Sequence, residues 1–132
     1  MRGNVVKRGK CEKAEKARRK EGPRVREGDD GLRLGAADIG GELGARATLV
    51  QFSSAFCQPC RATRRTLEQV AGMVEGVAHV EVDAEAHLAL VRALDITATP
   101  TVLVLDAAGR VVRRAAGQPR KADVIAALGA AV

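Results

Sequence analysis

The sequence predicts an α/β domain in which a mixed central sheet is flanked by helices, with a basic arm in front. Three observations point there. Apolar runs of strand length alternate with stretches of helical period, a strand–helix–strand succession precedes a glycine-turned hairpin, and the first 30 residues share neither pattern. Strand–helix–strand calls for a parallel pair with a right-handed crossover. The hairpin adds antiparallel strands, so the sheet is mixed.

At 132 residues the chain holds one domain of ordinary size and a tail. Its apolar residues are mostly Ala, Val and Leu, and Phe52 and Phe56 are the only aromatics. The absence of Trp and Tyr weighs against base-stacking surfaces and aromatic interface anchors. The net charge is +6, but 11 of the 22 Lys/Arg and only 6 of the 16 Asp/Glu fall in residues 1–30. The basic character therefore belongs to the arm. Three cysteines are too few for a disulfide scaffold. No run approaches the roughly 20 apolar residues of a membrane span, and the N-terminus lacks the apolar stretch of a signal peptide. A soluble, cytoplasmic monomer is expected.

Residues 1–30 are rich in Lys, Arg, Glu and Gly. Lys10 to Glu21 carries the i,i+4 pairs Glu12–Lys16 and Glu15–Arg19 of a transient helix. It has almost no apolar face, and Gly22-Pro23 stops it. The segment reads as a basic, disordered arm, and residues 31–132 as the domain. With mixed charge signs and no motif, the arm does not read as a nucleic-acid or membrane-surface binder.

The elements of the domain follow in order. Leu32 and Leu34 alternate across Arg33, as in a short strand, and Ala36 to Leu43 is a weak helical stretch. Thr48 to Phe52 is nearly all apolar, as suits a strand buried on both faces. A helix from Gln58 to Met73 gathers Cys60, Thr63, Leu67, Val70, Ala71 and Val74 on one face. Val77 to Val82 alternates as a strand, and Asp83 can cap a second helix reaching Leu94. Thr101 to Leu105 is another strand, turned by Asp106 to Gly109 into a return beginning at Val111. Pro119 suits the first turn of a last helix, with Val124, Ile125 and Leu128 as its buried stripe and Gly129 as its stop.

Phe56-Cys57-Gln58-Pro59-Cys60 falls where the central strand ends and the long helix begins. The first turn of a helix leaves backbone N–H groups unpaired and carries partial positive charge, which favours thiolate over thiol. Cys57 sits at that turn, so its pKa is expected below the free value of about 8.5. Cys60, one turn on, is near enough to form a disulfide with it, and Pro59 fits a first turn where no N–H is needed. Cys57 is then the attacking thiolate and Cys60, more covered, the resolving thiol. Half a zinc site is the rival reading, but Cys11 lies in the arm and His79 and His87 have no ligand spacing. A pair of inert core cysteines is the other. Thr99-Pro100 precedes an apolar strand, an awkward place for proline. A cis bond there would turn the chain sharply and leave the Thr99 backbone free to pair with an extended peptide. A trans proline at the start of a strand is the commoner arrangement.

These residues together resemble the thioredoxin family over roughly residues 32–132. The match rests on the strand ending in Phe52, the Cys57-Gln58-Pro59-Cys60 site, Asp83, Thr99-Pro100, the Gly109 hairpin and Gly117 before the last helix. The resemblance implies a thioredoxin-like fold, a cis Pro100 facing the dithiol and reduction of protein disulfides. It implies no bound cofactor beyond the redox-active Cys57–Cys60 pair, with electrons from an NADPH-dependent thioredoxin reductase. Phe56 stands where the family usually has Trp, Ser53 replaces another common aromatic, and Gln58 replaces the usual Gly. Gln51 takes the place of a buried Asp that, in the family, is thought to move the proton of the resolving cysteine. Gln cannot ionise, so water or His79 assists, or exchange is slower. An oxidase or isomerase is the alternative within this chemistry, set apart by redox potential. A non-catalytic module holding extended peptides at Pro100 is the alternative outside it.

Overall fold

The computed structural model describes residues 24–27 and 32–132. The transient helix expected at Lys10–Glu21 and the question of Cys11 lie outside the described residues, as does the rest of the arm. Among the described residues five strands form one sheet: β1 (Arg24–Glu27), β2 (Ala47–Ser53), β3 (Val77–Asp83), β4 (Thr101–Asp106) and β5 (Val111–Ala116). Their spatial order is β1-β5-β4-β2-β3. Only β2 and β3 run parallel; every other neighbouring pair is antiparallel. The helices are α1 (Ala36–Ile39), α2 (Gln58–Met73), α3 (Leu88–Ala93) and α4 (Lys121–Leu128).

Strand β2 is buried along its whole length between β4 and β3. Its alternation divides the core. Val50 and Phe52 join Val82, Leu103 and Leu105 under Ile39 of α1 and the α3 residues Leu90 and Val91. Ala47 and Leu49 join Val102 and Val104 under Leu67 and Val70 of α2 and Val124, Ala127 and Leu128 of α4. Helices thus cover both faces of a mixed sheet, the architecture read from the sequence. Gly109 closes the hairpin at φ 88°, and a Cβ there would collide with the Leu34 carbonyl, so only glycine fits.

Several boundaries differ from the sequence reading. β1 lies inside the segment assigned to the arm, its backbone paired with β5 from Arg24 opposite Ala116 to Glu27 opposite Arg113. A four-residue strand with a single apolar residue carries no period to read; the free edge of β5 supplies its hydrogen bonds instead. Leu32 to Leu34 makes one isolated bridge, Arg33 to Arg110, rather than a strand. The stretch after Asp83 is not one helix. Asp83 caps a 3-10 turn (Ala84–Ala86) by accepting the Glu85 N–H at 2.9 Å, and His87, at φ −132° and ψ 53°, breaks the chain before α3. Helix α4 starts at Lys121 with Arg120 as its cap, and Pro119 stays outside. Ile125 is 42% exposed; Ala127 takes its expected place in the buried stripe beside Val124 and Leu128. Among the described residues no helix is long and apolar enough to cross a membrane.

Candidate active site

The chemistry sits where β2 hands over to α2. Ser53 ends the strand, Ser54 to Phe56 form a short loop, and Cys57 caps the helix. Phe56 has φ 62°, a left-handed conformation aromatic residues seldom adopt, and its side chain is 97% exposed. No sequence signal marks that conformation. Cys57 and Cys60 are joined in a disulfide, with Cα atoms 5.2 Å apart. The Cys60 N–H donates to Cys57 Sγ at 3.2 Å, and α2 has no acidic residue in its first turn. Helix terminus and donated N–H both set positive potential at the Cys57 sulfur, which stabilises negative charge there. Cys57 is half-buried, whereas Cys60 is 2% exposed. Gln58 and Pro59, both exposed, form the rim between them.

The Thr99–Pro100 peptide bond is cis, as the family resemblance implied and general statistics disfavoured. Ser54 and Thr99 share a hydroxyl–hydroxyl hydrogen bond of 3.0 Å, which ties the Pro100 loop to the loop that presents Cys57. Pro100 is buried, and its carbonyl accepts the Gly117 N–H at 2.8 Å. Gly117 adopts φ 86°, which brings its backbone back onto the proline loop. Among the described residues, the Thr99 backbone makes no hydrogen bond with other backbone groups.

Behind the dithiol lies a chain of polar side chains. Gln51, fully buried, donates its amide N–H groups to the Cys60 carbonyl at 2.8 Å and to Ser53 Oγ at 2.9 Å. Its Oε1 accepts a hydrogen bond from His79 Nε2 at 3.1 Å. Burial pushes the His79 pKa below its ordinary value, against the pull of Glu68 and Glu81. Next to His79 on the outer strand, Arg64 grips Glu81 through two bonds of 2.8 and 2.9 Å. That contact holds the Glu81 carboxyl below the usual carboxylate range. The structure therefore brings Gln51 and His79 together beneath Cys60, but at its carbonyl rather than its sulfur. Sequence reasoning missed Ser54 and noted Ser53 only as a replaced aromatic, not as a hydrogen-bond partner of Gln51. Each is one hydrogen bond from a marked residue, and short polar residues at a strand end carry no other signal. Among the described residues there is no group of three or more His, Cys, Asp or Glu that could hold a metal ion.

Residues 41–131 match the family model of the thioredoxin-like domain. The chain belongs to the thioredoxin-like family. Solved structures agree on the fold. Chloroplastic thioredoxin z is 29% identical, with a TM-score of 0.58, the match covering 64% of this chain and 77% of that one. Thioredoxin f from spinach chloroplast is 24% identical at a TM-score of 0.59, covering 67% and 78%. Thioredoxin of Fasciola hepatica is 22% identical at a TM-score of 0.59, covering 67% and 84%. No curated protein matches the chain. A thioredoxin-like fold with a disulfide between the two cysteines at the start of α2 is that of a thiol–disulfide oxidoreductase in general terms.

Proposed function

We propose that this protein reduces protein disulfides by dithiol–disulfide exchange, and that Cys57 and Cys60 are its catalytic pair. The observation that carries the reading is the unequal exposure of the two cysteines at one helix terminus. In the reduced protein the Cys57 thiolate attacks a target disulfide, forming a Cys57–target bond and releasing one target sulfur as thiolate. Cys60 then loses its proton and attacks the Cys57 sulfur. The Cys57–Cys60 disulfide forms, the second target sulfur leaves, and two electrons have passed to the target. An incoming extended peptide is held by the Thr99 backbone beside Pro100, with Phe56, Gln58 and Pro59 as the rim it rests on.

Gln51 cannot ionise and donates both amide N–H groups elsewhere, and His79 turns its Nε2 to the Gln51 oxygen, so none of these bonds is made to the Cys60 sulfur in this arrangement. Water or the departing target thiolate takes the Cys60 proton, and the Gln51–His79 pair serves to hold the Cys60 backbone. In the proposed setting the protein acts as a cytoplasmic monomer in redox homeostasis and electron transport, re-reduced by an NADPH-dependent thioredoxin reductase. The test is reduction of insulin disulfides with dithiothreitol as electron source. The wild type is expected to accelerate it and Cys57→Ser to abolish the acceleration; undiminished activity in Cys57→Ser contradicts the reading.

A further inference from the structure

The helix that carries the dithiol has an asymmetric charge pattern that the exchange chemistry does not use. From Cys57 the exposed face of α2 runs through Arg61, one turn on, to Arg64 and Arg65 in the next. No acidic residue interrupts it before Glu68. Arg64 is neutralised by its paired contact with Glu81. Arg61 and Arg65 are exposed and make no ion pair among the described residues. At the end of β3 the sign is negative. β2 and β3 run in register with Ser53 opposite Asp83, so Asp83 and Glu85 lie alongside the strand end from which the Cys57 loop departs. Guanidinium groups keep their charge at any physiological pH.

We propose that the Arg61–Arg65 stripe docks an acidic segment of the substrate protein, so that the preferred targets are disulfides with Asp or Glu on one side of the attacked cysteine. The proposal rests on the reductase reading and names its substrate class. Two exposed cations about two helical turns or less from the attacking sulfur raise the local concentration of an anionic chain and favour the direction that lays it along α2.

The experiment uses the full chain and short disulfide-linked peptide dimers. In one series the cysteine is followed by acidic residues, in a second preceded by them; a third carries Lys and a fourth Ser. Each rate of reduction is divided by the same peptide's rate with free dithiothreitol, which removes intrinsic differences in reactivity. At low salt the better acidic peptide is expected to react about fivefold faster than the Lys peptide, and the preference to fade as salt rises to about 0.5 M. Arg61→Glu with Arg65→Glu should invert the preference, and Arg61→Gln with Arg65→Gln should bring it to parity. Equal corrected rates in the wild type overturn the docking proposal alone. So does a preference unchanged by both double variants, or tight binding of a single-stranded oligonucleotide with no preference among the peptides. If no peptide is reduced, the reductase reading fails and takes this inference with it.

Discussion

The layer between the sheet and α2 is built from two chemistries at its two ends. At the far end Leu49 lies under Leu67 and Val70, with Val102 and Val104 beside them, all within a few per cent of complete burial. At the near end the next position on the same face of β2 is Gln51, equally buried but fully hydrogen-bonded to Cys60, Ser53 and His79. One strand thus supplies dry packing for the first half of the helix–sheet contact and a polar clamp for the second. The dry end holds α2 in place through apolar burial, which is non-directional. The wet end fixes the orientation of the Cys60 backbone, for which directional bonds are needed.

The sharpest way to separate the ends is to damage each. Leu67→Ala removes a fully buried side chain and should cost about 3 kcal/mol of folding stability, read from denaturant unfolding of the oxidised protein. The exchange rate per folded molecule should hardly change, because the polar end is untouched.

Gln51→Asp should give the complementary result. A buried carboxylate loses hydration or takes up a proton, and Asp is too short to keep all three bonds, so stability should fall by about 2 kcal/mol. The same change places an ionisable group beneath Cys60 and should speed resolution of the mixed disulfide, while attack by Cys57 stays governed by the helix terminus. Stopped-flow measurement of both steps with thermal melts checks this. If neither resolution nor stability moves, the clamp has no part in the exchange.

His79 tests the outer link. Its folded pKa lies below the ordinary 6.5 because burial disfavours the cation. Between the two values the unfolded chain binds a proton that the folded chain does not. Its contribution is therefore intact above pH 6.5 and lost as the pH falls below it. Glu68 and Glu81 favour the cation and oppose this lowering, while Arg64 adds to it. Melts at about pH 7.5 and about pH 5.5 should show a drop in Tm that His79→Ala makes shallower. At the higher pH that variant should lose about 1 kcal/mol, one hydrogen bond's worth.

What the sequence made legible follows the same division. The dry end was readable because Leu49, Leu67 and Val70 repeat at strand and helix periods, and Gln58–Met73 was delimited correctly by that period and by its flanking loops. The dithiol was readable from spacing and place. Gln51 was marked only by family resemblance, and its actual partners depend on which strand lies beside β2, a fact of topology. Asp83 does cap, but the turn it caps is broken by the backbone of His87, which no side-chain pattern announces. Ile125 shows the limit of a helical stripe: Ala127 has little hydrophobicity to declare itself, yet it takes the buried place. Ile125→Ser, on the exposed side, should accordingly shift stability by less than about 0.5 kcal/mol.

The central claim, that the more accessible Cys57 attacks and buried Cys60 resolves, is tested most directly by trapping. Reduced Cys60→Ser and Cys57→Ser variants are mixed with a disulfide protein such as insulin and run on non-reducing gels, with the linked residue identified by peptide mass. Cys60→Ser should accumulate an adduct on Cys57 that dithiothreitol releases, and Cys57→Ser should accumulate none. Adduct on Cys60 in Cys57→Ser, with none on an accessible Cys57 in Cys60→Ser, would contradict the assignment.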